Sequence, residues 1–160
     1  MQNVTLLCVG KLKEPFYADA CAEYQKRLAR HCDLSIRELP EARLGDAPSP
    51  AEIAAALEKE ADAVESRLPR GGALIALCIE GKELSSAELS ETLARWAARG
   101  VSQLTFLIGG SFGLAERLKS RADLRLSMSP MTFPHHLARV MLLEQLYRAY
   151  QIQSGTKYHK

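Results

Sequence analysis

Three loops in the second half of the chain combine glycine, proline, hydroxyl and charged residues in a way that suits ligand binding. They span residues 77–82, 108–113 and 127–135, and each follows a short apolar run. In the second loop, Gly109 and Gly110 would let backbone amides approach an anion or a nucleoside edge without interference from a Cβ atom. In the third, two prolines and three hydroxyl groups precede an apolar helix, so many backbone groups are free to bind a planar ligand.

Both glycine- and proline-rich loops also have an ordinary structural interpretation, which stays open. A pair of glycines after a strand commonly forms a plain tight turn, and Pro134 can simply begin a helix. The chain contains neither the dinucleotide-binding pattern G-x-G-x-x-G nor a P-loop, because Gly81-Lys82 lacks the upstream glycine and the following Ser or Thr. We also expect no G-x-S-x-G nucleophile elbow, the metalloprotease pattern H-E-x-x-H is absent, and we therefore do not expect hydrolase chemistry.

The histidines give little support to a metal site. His135 and His136 adjoin the start of a predicted helix, with Arg139 one turn beyond, but too few further ligands converge there, so we expect no bound metal. His31 ends a predicted helix and is expected on the surface. His159 lies in the last four residues, where a terminal histidine beside lysines is normally disordered on physical grounds alone.

The elements that must position these loops follow from the hydrophobic pattern. Short apolar runs alternate with amphipathic stretches and predict five strands, at 4–9, 34–39, 73–79, 104–108 and 124–128. Two capping boxes, one at Ser49 and Glu52 and one at Ser85 and Glu88, mark helix starts, whereas 41–50 reads as a loop. The pattern predicts an α/β fold, with an open, mainly parallel sheet and helices on both of its faces.

Composition fits one compact domain over residues 1–160. The chain has 160 residues, of which 47% are apolar and 25% charged, so it can bury a core without disulfides or a structural metal. Its four cysteines form no C-x-x-C pair and are expected to be buried, reduced and inert. No apolar run reaches 18 residues and the N-terminus lacks a basic signal region, so we expect a cytoplasmic protein without a membrane anchor.

Charge and the last predicted helix hint at partners. The net charge is +2, but residues 115–160 carry 8 Lys and Arg against 3 Asp and Glu, a modest basic surface that is consistent with RNA without being diagnostic. The helix at 134–153 is apolar on more than one stripe and therefore requires burial on two sides. A second subunit in a twofold homodimer would bury the outer side, and a wholly intramolecular site is the alternative.

Several ordered motifs resemble one family over the whole chain. They are V-G-K-L-K-E at 9–14, L-I-G-G-S-x-G-L at 107–114, L-S-x-S-x-M-T-F-P-H at 126–135, E-Q-x-Y-R-A at 144–149 and the final Tyr158-His159-Lys160. Together they resemble the ribosomal large-subunit pseudouridine N3-methyltransferase family, RlmH, a minimal member of the SPOUT class.

The resemblance implies a fold and a cofactor that the pattern alone does not show. Its members thread a C-terminal trefoil knot, bind S-adenosylmethionine without a metal and act as homodimers with the active site at the subunit interface. Their substrate is a pseudouridine of 23S rRNA (position 1915, in helix 69) in the assembled 70S ribosome. The family's cofactor-binding positions fall on Leu77, Gly109, Gly110, Met128, Ser129, Pro130, Met131, Thr132 and Phe133.

The resemblance also assigns candidate catalytic residues. The family's functional Tyr-His pair falls on Tyr158 and His159. N3 of pseudouridine must lose a proton before it attacks a methyl group, and His159 or His135 could accept that proton while Arg139 stabilises the developing charge or a phosphate. A non-catalytic ribosome-binding module of the same fold and a small flavodoxin-like nucleotide or flavin protein are the competing interpretations.

Overall fold

The computed structural model describes all 160 residues and alternates strands with helices throughout. The strands are β1 (Gln2–Val9), β2 (Cys32–Leu39), β3 (Ala73–Glu83), β4 (Gln103–Ile108) and β5 (Leu124–Ser127). The helices are α1 (Pro15–Leu28), α2 (Pro50–Arg67), α3 (Ser86–Ala98), α4 (Glu116–Arg121) and α5 (His135–Gln153). The predicted order of elements is confirmed. None of the five helices combines the length and the hydrophobicity that a membrane-spanning helix needs.

The five strands form one sheet in the order β2-β1-β4-β3-β5, and every neighbouring pair is parallel. Parallel strands need both faces covered, which explains why the central strands read as continuous apolar runs. Residues that alternate along β1 and β4 point to opposite faces and enter two separate cores. The predicted α/β class with helices on both faces is therefore confirmed.

The larger core lies on the face covered by α1, α3 and α5, and contains Phe106 of β4, Leu93 of α3 and Leu146 of α5. The smaller core lies under α2 and α4, where Leu107 meets Val64. Both predicted capping boxes form: the Ser49 hydroxyl accepts the Glu52 amide at 3.1 Å, and the equivalent pair closes at the start of α3. These caps fix where α2 and α3 leave the preceding loops.

The segment between β5 and α5 crosses the carboxyl ends of the strands. β5 lies at the edge of the sheet beside β3, yet α5 begins against Gly10, which follows the interior strand β1. Residues 128–134 must therefore pass over the ends of β3 and β4 to reach β1. The trefoil knot implied by the family resemblance remains a prediction.

The expectation that His31 is a surface residue is wrong. Its ring stacks on Tyr150 with the centroids 5.8 Å apart, and its Nε2 lies 3.3 Å from the amide nitrogen of Gln151. His31 is half-buried because α5 packs beside the end of α1. All four cysteines are free, as expected, and three are buried, but Cys78 is only half-buried. Burial raises the pKa of the Cys8 thiol to about 12.

Candidate functional site

A cleft of about 740 Å³ opens at the carboxyl ends of β3, β4 and β5. This is the edge where ligands bind in open α/β sheets. All three loops singled out from the sequence line it, and it brings together most of the residues expected to hold a cofactor: Leu77, Gly109, Gly110, Met128, Ser129, Met131, Thr132 and Phe133. Pro130 is the one expected residue that does not line the cleft.

An irregularity in β3 shapes one wall of the cleft. The pairing of β3 with β5 shifts between Leu77 and Lys82, so residues 78–81 leave the regular ladder. A Cβ atom on Gly81 would lie 2.8 Å from the backbone of Arg125, so glycine permits the two strands to meet there again. The half-buried Cys78 and the carboxylate of Glu80 face the cleft as a result.

The two central glycines serve the protein's own packing. A Cβ atom on Gly109 would collide with the backbone of Gly113, with which Gly110 forms an isolated bridge. A Cβ atom on Gly110 would lie 2.7 Å from Oε1 of Glu41. We expected these glycines to keep Cβ atoms away from a ligand. That reason is wrong, because the Cβ positions of both glycines point at protein atoms.

The expectation that the chain has no nucleophile-elbow pattern is wrong, because residues 109–113 have the spacing G-x-S-x-G. That elbow holds its serine in a strained backbone conformation beside a histidine, but Ser111 does not have a positive φ. Its amide donates to Glu41, and no histidine contacts its hydroxyl. The loop therefore has the spacing of a nucleophile elbow without the geometry of a serine hydrolase.

The loop at 127–135 uses part of its own hydrogen-bonding capacity. The Ser127 hydroxyl donates to the Ser129 carbonyl at 3.1 Å, and the Ser129 hydroxyl accepts the Met131 amide at 3.0 Å. These bonds fix a turn against the sheet. Residues 128–133 form none of the backbone–backbone hydrogen bonds seen in the other loops.

His135 begins α5 and lines the cleft. Its Nε2 is buried and has no hydrogen-bond partner. Burial lowers the pKa of His135, and the neighbouring His136 and Arg139 lower it further, whereas Glu41 and Glu14 oppose the shift. His135 is consequently neutral near pH 7, and a neutral imidazole can accept a proton.

The rim of the cleft mixes one ion pair with exposed apolar side chains. Nζ of Lys119 lies 2.5 Å from Oε1 of Glu80, bridging α4 and β3. Ile79, Phe112 and Met131 are 51%, 48% and 72% exposed, and all three line the opening. The rim therefore offers apolar surface to a planar group that enters the cleft.

Arg139 lies outside the cleft lining and is only 3% exposed. Its Nη1 donates to Glu38 at 2.8 Å, and its Nη2 donates to the Gly10 carbonyl at 3.2 Å. Burial raises the pKa of Glu38, but the Arg139 guanidinium and the Leu12 amide more than offset this, so the pKa is lowered overall. The structure thus places Arg139 in a buried scaffold behind the cleft.

The C-terminal tail folds back on α5 of its own chain, away from the cleft. The Tyr158 hydroxyl donates to Glu144 at 3.1 Å, and the guanidinium of Arg148 lies 4.8 Å from the Tyr158 ring centre. Nδ1 of His159 lies 3.2 Å from Nη1 of Arg148. Glu144 is nine residues beyond His135, or about 13 Å along the helix. Neither Tyr158 nor His159 lines the cleft.

A second cleft of about 490 Å³ lies between α5 and the start of α3. Val140, Met141 and Glu144 of α5 contribute to it, together with Tyr24 of α1. Because α5 packs between α1 and α3, much of its two-sided burial is intramolecular. No group of three or more His, Cys, Asp or Glu side chains is placed to hold a metal ion.

Comparison with known proteins points to one family. The family model described as "Predicted SPOUT methyltransferase" matches residues 2–159. The chain is 46% identical, over 99% of both chains, to the ribosomal RNA large subunit methyltransferase H of Streptococcus equi subsp. zooepidemicus, and 44% identical over the same share to that of Clostridioides difficile. A probable methyltransferase from Bordetella pertussis has a similar fold, with a TM-score of 0.59 at 16% identity over 93% of this chain and 95% of that one.

Proposed function

The chain belongs to the SPOUT methyltransferase family and groups with the ribosomal RNA large subunit methyltransferases H, and from this premise we propose that it methylates N3 of a pseudouridine in 23S rRNA. The proposed methyl donor is S-adenosylmethionine, and the proposed target lies in helix 69 of the assembled 70S ribosome. Modification of ribosomes would take place in the cytoplasm. The observation that carries the proposal is the cleft, which gathers the family's motif loops around a neutral histidine.

The cleft fits a ligand of this kind. Its volume of about 740 Å³ lies in the range typical of small-molecule sites. Apolar side chains such as Leu77 and Phe133 would hold the adenine, while backbone groups of residues 109–113 and 128–133 would bind polar edges. When bound, S-adenosylmethionine would supply an electrophilic methyl group: a nucleophile attacks the methyl carbon in line, the C–S bond breaks and the thioether leaves, so no metal is needed.

The chain's own residues would prepare the nucleophile. N3 of pseudouridine carries a proton, and His135, which lines the cleft, is a candidate acceptor of that proton. His159 is the other candidate, with Tyr158 orienting the base. Arg139 would contribute by positioning, because its guanidinium is committed to Glu38 and Gly10. Exclusion of water by the apolar rim would raise the strength of every polar contact inside.

A homodimer would complete the site. Within one chain the tail rests beside Glu144 and Arg148, about 13 Å along α5 from His135, so Tyr158 and His159 do not reach their own cleft. The half-buried side chains Val140 and Met141 line a groove on the outer side of α5, a surface that a second copy could cover. The tail of each subunit would then serve the cleft of the other.

The substrate must supply part of the recognition surface. The fold is one sheet with its helices, and it holds no separate RNA-binding module. Residues 115–160 carry the excess of basic side chains, which suits contact with phosphates. A structured particle such as the 70S ribosome would present the target nucleotide in a defined orientation.

The test is methyl transfer with labelled S-adenosylmethionine to 70S ribosomes, large subunits and protein-free 23S rRNA, each from cells that lack the enzyme. We expect label in 23S rRNA of the 70S sample, mapped to N3 of one pseudouridine. Cofactor binding without this product would overturn the proposed substrate. Ribosome binding without cofactor binding would support a non-catalytic module instead.

A further inference from the structure

Glu41, in the loop that follows β2, binds the loop at 109–113 on the side away from the cleft. Its Oε1 accepts the Ser111 amide at 2.8 Å, although the two residues are 70 positions apart. Glu41 does not line the cleft, whereas Ser111 and Gly110 do. The carboxylate therefore acts on the cleft through the backbone of the loop.

The same carboxylate explains why residue 110 is glycine. A Cβ atom there would lie 2.7 Å from Oε1 and 2.9 Å from Cδ of Glu41, and its three closest neighbours all belong to this one side chain. Gly110 does not have a positive φ, so its backbone conformation suits any residue. A Cβ atom at position 110 would therefore displace the Glu41 carboxylate.

Glu41 is itself held in place from the other side. Its neighbour Ala42 donates its amide to Glu60 at 2.8 Å, and Glu60 is a buried residue of α2. Two carboxylates therefore connect α2, the loop after β2 and the loop after β4. A short segment anchored at both ends loses less entropy when it positions a ligand loop.

Glu41 also faces His135. Oε2 of Glu41 and Nε2 of His135 both lie 3.5 Å from the position that a Cβ of Gly10 would occupy. Burial raises the pKa of Glu41, but the Ser111 amide and hydroxyl and the neighbouring His135 and His136 outweigh it, so Glu41 is ionised. The single negative charge of Glu41 therefore lies beside both the Ser111 amide and His135.

We propose that Glu41 is a positioning residue of the methyltransferase site: it clamps the Gly110-Ser111 backbone in its binding conformation and places a negative charge beside His135. The inference deepens the proposed function and relies on it for the activity readouts. The hydrogen bond between Glu41 and the Ser111 amide can be measured without any enzyme activity. The resonance of an amide that donates to a carboxylate changes when that carboxylate ionises.

The experiment compares Glu41→Ala, Glu41→Gln, Gly110→Ala and the double variant Glu41→Ala/Gly110→Ala. Glutamine retains an acceptor oxygen without the charge. We expect Glu41→Ala to weaken S-adenosylmethionine binding by about tenfold to a hundredfold, the usual value of a charged hydrogen bond, and Glu41→Gln to restore most of that affinity. Gly110→Ala should weaken binding to a similar degree because its Cβ displaces the carboxylate.

The double variant gives the decisive outcome. If both single changes break the same contact, the double variant binds no more weakly than either one. Additive losses would instead mean that Gly110 contacts the ligand directly, and would overturn the proposal. Asp46→Ala is the matched control, because Asp46 is an exposed carboxylate of the same loop, and we expect it to bind like the wild type.

Nuclear magnetic resonance separates this inference from the proposed function. The Ser111 amide resonance should titrate with Glu41 in the wild type and should not titrate in Glu41→Gln or Glu41→Ala. If the wild type neither binds S-adenosylmethionine nor methylates rRNA, yet this titration is present, the proposed function fails and the clamp stands. A Ser111 amide that does not respond to Glu41 would overturn the clamp whatever the activity.

Discussion

The Arg139 guanidinium donates a hydrogen bond of 2.8 Å to the Glu38 carboxylate and ties α5 to the carboxyl end of β2. Glu38 also accepts the Leu12 amide, and Arg139 also holds the Gly10 carbonyl, so the pair organises the turn that follows β1. His135 lies one helical turn before Arg139 on the same helix. The ion pair between Arg139 and Glu38 therefore fixes the position of His135, the candidate base.

We expect Arg139→Met to lower the free energy of unfolding by about 2–4 kcal/mol, because it leaves Glu38 and the Gly10 carbonyl without their buried donor. Arg139→Lys should lower the free energy of unfolding by a smaller amount, since an ammonium can satisfy one of the two acceptors. Urea unfolding gives these values, and methyl transfer is then measured where both variants are folded. Wild-type stability combined with lost turnover would instead assign Arg139 a direct catalytic role.

The strands were predictable because a strand that is buried on both faces appears in the sequence as a continuous apolar run. Apolar runs such as 104–108 identify strands that are covered on both faces, and the structure places β4 there. β3 extends to Glu83 beyond its predicted end, because Gly81 allows the chain to rejoin β5 after an irregular stretch. A bulge of this kind depends on a neighbouring strand and leaves no periodic signal.

The candidate site was predictable only in part. The cleft loops contain glycines, prolines and hydroxyls after strands, and this composition is visible in the sequence. Glu41 was missed because its partner Ser111 is 70 residues away, and because the surrounding stretch reads as an ordinary loop. The burial of Arg139 depends on Glu38, 101 residues earlier, and no local pattern reveals such a pair.

We expect Gly109→Ala to abolish cofactor binding, because the new Cβ would meet the backbone of Gly113, which cannot move aside as a flexible side chain can. Gly72→Ala is the matched control. Its Cβ would collide with the Gln103 backbone at the opposite end of β3, so it should destabilise the fold without changing the affinity for the cofactor. Calorimetric titration with S-adenosylmethionine measures the cofactor affinity of both variants. Normal binding by Gly109→Ala would contradict the loop geometry.

Acid should destabilise the protein partly through His135. Its pKa is lowered in the folded state by burial and by His136, so the unfolded chain binds the proton more readily. Stability therefore falls as the pH drops below the ordinary histidine value of 6.5 and stops falling below the folded pKa. We expect His135→Gln to flatten this part of the curve of unfolding free energy against pH. Parallel curves for variant and wild type would show that His135 is not buried in this way.

The proposed homodimer makes a prediction about two inactive variants. His159→Ala loses the tail and keeps the cleft, whereas Gly109→Ala loses the cleft and keeps the tail. If the tail of one subunit completes the cleft of the other, mixed dimers contain one intact site, and an equal mixture should recover about a quarter of the wild-type sites by random pairing.

The measurement is methyl transfer after the two variants are unfolded together and refolded, so that subunits exchange. The double variant Gly109→Ala/His159→Ala, refolded with His159→Ala, is the control, because no pairing of these chains restores an intact site. Recovery in the first mixture alone would support sites shared between subunits. Activity that stays lost in both would mean that each tail serves its own chain, and the contacts of Tyr158 with Glu144 and of His159 with Arg148 would then have to open before catalysis.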